Sequence, residues 1–457
     1  MLRLYDTATG SESSLRGDDE GRIGLYVCGP TVYGPPHIGH GRFALTYDIL
    51  RRYLESTGVE VRHVSNVTDI DDKIINLANA EHRSSHEVAV EYEAMWWEAM
   101  DTLGVAKPTV APHATDFVAQ MIEMIAELIG RGVAYETSDG VYLEVAKVAG
   151  YGLLAQQSLD SLRAGSRVEV NDEKRAPFDF ALWKSAKAGE PAWEAPFGVG
   201  RPGWHTECVV MALELLGEGF SLHGGGADLK FPHNENERAQ AVALGRSYAR
   251  HWMHNGTVMQ AGEKMSKSIG NVVDLASLAD THDRRAYRLV VLQSHYRAPS
   301  ELGSGNLEAA EEALRRIDAL ARRLDEAGSL EVAGPAAASE AGDAVTKEFR
   351  THMDNDLSTP QAIASLFAAV TAANSALDRG DGAGGAARGR AALRGFEAVG
   401  ILAAGATSVP DEIVQMARHR DEARGARDWA AADRLRSEIE AAGYRVEDTP
   451  GGTRVYR

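Results

Sequence analysis

Two short segments carry residue types suited to phosphate chemistry. His37-Ile38-Gly39-His40 stands where a β-favouring run ending in Cys28-Gly29-Pro30 gives way to an amphipathic stretch. Its imidazoles and backbone N–H groups would therefore face an anion at the positive end of a helix. Gly39 has no side chain to bar the close approach of a nucleotide. About 225 residues later, Lys264-Met265-Ser266-Lys267-Ser268 gathers two ammonium groups and two hydroxyls, a set able to clamp a triphosphate. Taken singly each is weak, because a His-rich turn is ordinarily a surface loop and a lysine–serine run a solvated face. Their joint occurrence in this order points to nucleotide chemistry.

The elements that must position them are legible in outline. Gly24 to Val27 reads as a strand, about Ile38 to Leu54 as an amphipathic helix, and Val59 to Val67 as a second strand whose polar end is Asn66 to Lys73. Strand, helix and strand in that order form a βαβ crossover, and an open parallel sheet takes ligands at such strand ends. The pattern from about Ser85 to Gly132 is helical, clearest over Asp116 to Ile129. From about Tyr135 to Lys187 it breaks into short β-like pieces such as Gly140 to Leu143, an insertion in the sheet domain. Strand and helix signals alternate again over Gly203 to Val273, and helices dominate from about Arg284 to Leu324. The Ala-, Gly- and Ser-rich segments 326–342 and 378–389 read as connectors rather than core. Beyond Pro410 a single long helix, Glu412 to Ala441, precedes a Gly-bounded tail.

The chain has 457 residues, 44% of them hydrophobic and 25% charged, an ordinary globular composition with room for about three domains. No apolar run reaches the ~20 residues of a membrane span, and the first twenty residues have no secretory pattern, so a cytoplasmic protein is expected. Two cysteines exclude a disulfide scaffold. A net charge of −18 argues against bulk electrostatic binding of nucleic acid and leaves room for local basic patches.

The paired signatures resemble those of class I aminoacyl-tRNA synthetases. Tyr26 to Tyr33, Asn66 to Lys73, Asp179 to Lys184, Pro202 to Cys208 and His223 to Asp228 narrow the resemblance to cysteinyl-tRNA synthetases. It implies an α/β fold: a Rossmann-like parallel-sheet catalytic domain over 1–285 with an insertion at about 135–200 and the lysine loop at 264–268. An all-α helical bundle over 286–405 and a small anticodon-binding domain over 406–457 would follow. It also implies one Zn²⁺ held by Cys28, Cys208, His233 and Glu237, contacting the thiolate of the substrate. Two sulfurs, a nitrogen and an oxygen suit zinc, and a spacing of four residues brings His233 and Glu237 to one side of a helix. Serine, a harder and less acidic donor, would be rejected without an editing site.

The same resemblance places Thr31, Trp204, His205 and Asp228 around cysteine, with Trp204 as an apolar wall and Asp228 attracting the ammonium group. Gly224-Gly225-Gly226 would turn the chain sharply beside the ligand. His37, His40, Lys264 and Lys267 would stabilise charge growing on the phosphates, with Gly39 and Ser268 also touching ATP and Mg²⁺ neutralising pyrophosphate. An ionised carboxylate needs no general base to attack the α-phosphorus. By composition the arginines from Arg418 to Arg436, interspersed with acidic residues, read as a solvated helix with ion pairs, yet the run Arg424 to Arg436 followed by Glu447 to Arg454 resembles an anticodon-recognition domain, so tRNA(Cys), L-cysteine and ATP are the expected partners of a monomer.

Three positions depart from the family pattern: Gly34-Pro35-Pro36 replaces an acidic residue with bulkier neighbours, Asn234 stands where a second histidine is usual, and Val455 replaces a frequent tryptophan. The cysteine ligase of mycothiol synthesis, which hands cysteine to an amino sugar, shares the catalytic core but lacks the anticodon domain. The tail beyond Pro410 favours tRNA over the amino sugar as acceptor. A non-catalytic tRNA- or zinc-binding relative would have little reason to keep His37, His40, Lys264 and Lys267 together.

Overall fold

A computed structural model describes residues 1–157, 173–260, 263–264, 275, 278, 281–301, 304–326, 336–404, 411–442, 444–449 and 452–456. Four parallel strands carry the architecture: β1 (Ile23–Val27), β2 (Val61–Ser65), β3 (Leu222–Gly226) and β4 (Trp252–Asn255), in the order β4-β3-β1-β2. Tyr26 in β1 lies between Val64 of β2 and His223 of β3, and His223 in turn faces Trp252 of β4. The strands are short and apolar because helices cover both faces of such a sheet.

Helix α1 (Ile38–Ser56) connects β1 to β2. It buries Ile38, Leu45, Ile49, Leu50, Tyr53 and Leu54, a stripe at helical spacing that packs on the sheet and on the later helices. Its N-terminus is capped reciprocally: the His37 ring accepts from the backbone N–H of His40, and the His37 N–H donates to Nδ1 of His40. Helix α2 (Trp204–Leu216) carries Cys208, and helix α3 (Glu235–Ala243) carries Glu237. His233 belongs to a wide helical turn, Lys230–Asn234, which is kinked at Phe231 and runs directly into α3. Between α1 and α2 lies a separate antiparallel sheet of Ala134–Thr137, Gly140–Leu143, Phe180–Ser185 and Gly200–Pro202.

The periodic stretch after Ser85 is two helices, Ser85–Thr102 and Val118–Gly130. The chain between them is extended, with Val110 and His113 bridging to Val64 and Val67 at the sheet edge. Downstream, helices Ala286–Leu292, Ser304–Glu326, Ala336–Met353, Thr359–Asp378 and Gly382–Glu397 pack together. Here 378–389 is not a connector. A helix begins at Gly382, and Gly384, Gly385 and Gly389 are buried. A Cβ on Gly385 would stand 2.7 Å from Leu377 Cγ, and one on Gly389 would stand 2.8 Å from Leu324 Cδ1. These glycines permit close helix packing, which a composition reading mistakes for looseness. Of 326–342, residues 327–335 lie outside the described residues, and the helix from Ala336 covers the rest.

The last expected helix is likewise two, Asp411–Gly425 and Trp429–Ala441, with Arg427 at φ 59° between them. A hairpin of Arg445–Thr449 and Gly452–Tyr456 packs on this pair. Among the described residues no helix is long and apolar enough to cross a membrane.

Candidate active site

A cavity of about 500 Å³ opens at the C-terminal ends of all four parallel strands, where open α/β sheets bind ligands. Cys28 and Gly29 follow β1, Asn66 and Thr68 follow β2, Gly226 closes β3, and Asn255 with Gly256 leaves β4; all line the cavity.

Three members of the sulfur-, nitrogen- and oxygen-bearing set, Cys28, Cys208 and His233, line its floor, and the fourth, Glu237, is buried against them. Cys28, Cys208, His233 and Glu237 are each at most 3% exposed. Their donor atoms all lie within 4.8 Å of one another. His233 Nε2 is 3.1 Å from Glu237 Oε1 and 3.7 Å from Cys208 Sγ, and Cys28 Sγ is 3.3 Å from Glu237 Oε1. Zinc bonds of about 2.0–2.3 Å put tetrahedral donors roughly 3.3–3.8 Å apart, so the set fits that ion.

The electrostatics agree. Burial pushes the Cys28 thiol up, whereas the hydrogen bond with Cys28, helped by His233, draws Cys208 down to about 6. Burial would raise Glu237, but His223 and His233 outweigh it and hold the carboxyl at about 2. Burial opposes protonation of His233, and Glu237 with Cys208 overcomes it and raises that imidazole. An anionic carboxylate and an acidified thiol held dry at one point are a cation site in charge as well as in shape.

Around this floor every polar atom of Glu237 has a donor. Oε2 receives His223 Nε2 at 2.7 Å and Tyr248 OH at 2.9 Å, and Oε1 receives Asn234 Nδ2 at 2.7 Å. Trp204 stacks on His233 with ring centres 4.1 Å apart, and with Thr31 and Asp228 it lines the cavity. His205 is one step removed: it sits behind that wall, with Nδ1 2.9 Å from Nδ1 of His233, and burial followed by His233 pushes its pKa well down.

The glycine triplet does not turn the chain. Gly224, Gly225 and Gly226 are strand residues of β3, and the missing Cβ at Gly224 admits the Tyr47 ring, which would otherwise lie 2.3 Å away. The Tyr47 hydroxyl stands 2.9 Å from the carbonyl of Gly225 and 2.8 Å from that of Met253 and accepts from the Gly225 N–H, and so ties α1 to both strands. Gly29 is required for a comparable reason, since its Cβ would fall 1.6 Å from the carbonyl oxygen of Asn66.

At the other end of the cavity, His37, Gly39 and His40 are half-buried at the start of α1. The two imidazoles stack 3.7 Å apart at 14°. The lysine segment is described only at its edge: the backbone of Lys264 lies in strand Glu263–Lys264, paired with Val258–Gln260, while Lys267 and Ser268 lie outside the described residues. Arg42, four residues into α1, donates to the carbonyls of Thr257, Tyr296 and Ala298.

Asn66, Thr68, Glu207, His223, Tyr248 and His254, which the fold brings to the cavity or the cluster, carry no individual assignment in the sequence. The one available signal was a polar residue inside an otherwise apolar strand, as at His223 and His254.

Residues 15–312 match the family model of the class I (C) tRNA synthetase catalytic domain, and residues 348–403 match the DALR domain. The cysteine–tRNA ligase of a Thermus thermophilus strain is 41% identical, over 99% of this chain and 98% of its own. That of Moorella thermoacetica is 42% identical over the full length of both. The chain belongs to the cysteine–tRNA ligase family. It is an enzyme of class I. Among solved structures, methionyl-tRNA synthetase of Mycobacterium tuberculosis in complex with methionyl-adenylate superposes with a TM-score of 0.64 at 14% identity, covering 83% of this chain and 91% of that one. A putative arginyl-tRNA synthetase from Campylobacter jejuni gives 0.58 at 13% identity, covering 85% and 95%. At such identities the likeness is one of fold: the α/β sheet with its helical C-terminal region.

Proposed function

We propose that this ligase activates L-cysteine with ATP to cysteinyl-adenylate and transfers it to the 3′ end of tRNA(Cys), acting as a cytoplasmic monomer. The observation that carries the proposal is the position of the four-donor cluster: three of its members, Cys28, Cys208 and His233, line the same cavity as His37 and His40. Cys28, Cys208, His233 and Glu237 would hold zinc, which supplies a soft Lewis-acid seat for a thiolate. Trp204 forms the apolar side of the amino-acid subsite, Thr31 offers a hydroxyl, and Asp228 attracts the ammonium group, with His205 steadying His233 from behind.

Anchored at that depth, the substrate carboxylate extends toward the mouth. There His37, His40, Lys264 and Lys267 stabilise the charge on the phosphates, Gly39 and Ser268 contact ATP, and Mg²⁺ accompanies the pyrophosphate. The tRNA is met by the segment beyond residue 406.

Cysteine-dependent exchange of pyrophosphate into ATP, run beside transfer of labelled cysteine to tRNA and a zinc determination, tests this reading. Exchange with transfer and one zinc per chain is expected. Exchange without transfer makes an amino-sugar acceptor the better reading, and neither activity in zinc-loaded protein ends the catalytic claim.

A further inference from the structure

The cavity floor is wired to the N-terminal strand by a chain of hydrogen bonds that the proposed chemistry does not use. Thr7 follows strand Arg3–Asp6, and its backbone N–H donates to the carbonyl of Trp252, which fixes it beside β4. Its Oγ1 lies 2.8 Å from His254 Nδ1. The other ring nitrogen, Nε2, lies 2.9 Å from Asn234 Oδ1. Asn234 Nδ2 then reaches Cys28 Sγ at 3.4 Å and Glu237 Oε1 at 2.7 Å. Thr7, His254 and Asn234 are at most 9% exposed, so no solvent competes for these bonds.

The direction of each bond follows from its neighbours. A sulfur and a carboxylate oxygen both need donors, so the amide nitrogen of Asn234 must face the cluster and its oxygen must face His254. That oxygen accepts only, so His254 carries its proton on Nε2. Nδ1 is then an acceptor, and the Thr7 hydroxyl donates to it. The relay runs one way, from hydroxyl to imidazole to amide to metal-binding atoms.

We propose that Asn234, oriented from Thr7 through His254, is a positioning residue that sets the spacing of Cys28 and Glu237 and thereby the hold of the site on its metal. The two acceptors stand 3.3 Å apart and both bear negative charge when they ligate. One NH₂ group shared between them offsets their repulsion and keeps both turned toward Cys208 and His233. This inference rests on the zinc reading above and goes beyond it, because it assigns the tightness of the site to residues that are not ligands.

The test is the rate at which purified holoenzyme yields zinc to excess chromogenic chelator, with the visible spectrum of cobalt-substituted protein as a second readout. Asn234→Ala is expected to release zinc about 10–100-fold faster, the range for a supporting partner of a ligand. It should also shift the thiolate-to-cobalt band, which a general loss of stability would not do. Thr7→Val, which removes only the hydroxyl at the far end, is expected to quicken release about threefold, below that range. In the Asn234→Ala background Thr7→Val should add nothing, since the relay is already cut.

Release within twofold of wild type in Asn234→Ala, or a Thr7→Val effect that persists in that background, overturns the relay and leaves the zinc reading standing. Wild-type protein that holds no zinc overturns both. If Asn234→Ala does not fold, Thr7→Val alone decides: release faster than wild type supports the relay, and an unchanged rate overturns it.

Discussion

The two ends of the one cavity are built in opposite ways. At the floor, Cys28, Cys208, His233 and Glu237 are almost wholly buried, and Glu237 alone receives three donors. At the mouth, His37 and His40 are half-exposed and hold each other at a helix N-terminus. Of the lysine segment's approach, the described residues show strand Glu263–Lys264, with Lys264 paired to Met259 and Glu263 to Gln260. On the proposed reading a soft thiol would be told from a hydroxyl by donors fixed in advance, which suits an end organised by folding. On the same reading the mouth would hold phosphates, which must be released at each turnover, and its two imidazoles are left half-exposed. Recognition and chemistry therefore draw on different sources of order within one site.

The comparison breaks most readily at the floor. Glu237→Gln removes the carboxylate while keeping its shape. It should lose zinc and lower cysteine-dependent exchange by more than about 100-fold, the upper range for a merely supporting residue. Metal analysis and exchange on the same sample check this, and retained zinc would mean that the cluster is not the ligand set. At the mouth, His40→Ala should slow exchange by roughly 10²–10³, the cost of one preorganised donor to developing charge. Zinc content should stay at the wild-type value. If His40→Ala also lost zinc, the two ends would be one unit and the contrast would fall.

A third buried group sharpens what burial means here. His63 lies in β2 at 8% exposure, and neither ring nitrogen has a hydrogen-bond partner. Burial, with a smaller push from Arg51, drives its pKa down to about 3, so it folds as the neutral ring. Below the ordinary histidine value of about 6.5 the unfolded chain takes up a proton that the folded chain refuses. Stability due to this group is thus present above pH 6.5 and lost as pH falls toward 3. His63→Phe should abolish that loss: between pH 7 and pH 5 wild type should lose roughly 2 kcal/mol more than the variant, at about 1.4 kcal/mol per pH unit. Denaturant titrations at the two pH values measure the difference. Glu237 is buried as deeply but keeps its charge because His223 and His233 stand beside it and His223 and Asn234 donate to it, so partners and not depth decide which buried groups stay ionised.

These contrasts explain what was legible beforehand. Strand β1, helix α1 and strand β2 follow from apolar spacing, whereas the four cluster residues can be named together only through the family resemblance, because singly a cysteine reads as a small core residue and a His/Glu pair four apart as a surface contact. Asn234, Tyr248 and His254 could not be assigned their roles, since an amide, a phenol or an imidazole acquires its meaning only from what the fold sets beside it. Gly224 and Gly389 were misread for a related reason. Glycine signals a turn locally, whereas here it signals the absence of a Cβ against Tyr47 and Leu324. The long C-terminal helix was misjudged because nothing in its composition marks the left-handed break at Arg427.

That double meaning of glycine yields the smallest expected effect, within a single helix. A methyl on Gly382 meets nothing within 4 Å, so Gly382→Ala should stabilise by about 0.4–1 kcal/mol through the unfolded chain alone. A methyl on Gly395, thirteen residues on in helix Gly382–Glu397, would stand 2.5 Å from Leu366 Cδ2. Leu366 is fully buried, so its side chain must repack against core neighbours to make room. The helix gains about 1 kcal/mol from losing a glycine, but overpacking of this kind costs about 1–3 kcal/mol. Gly395→Ala should therefore destabilise by about 1 kcal/mol, opposite in sign to Gly382→Ala. Exchange activity should be untouched in both, because neither position lines the cavity. Paired denaturation curves decide it: two stabilising substitutions would mean that the helices can part at Leu366, and the glycines would then be loose after all.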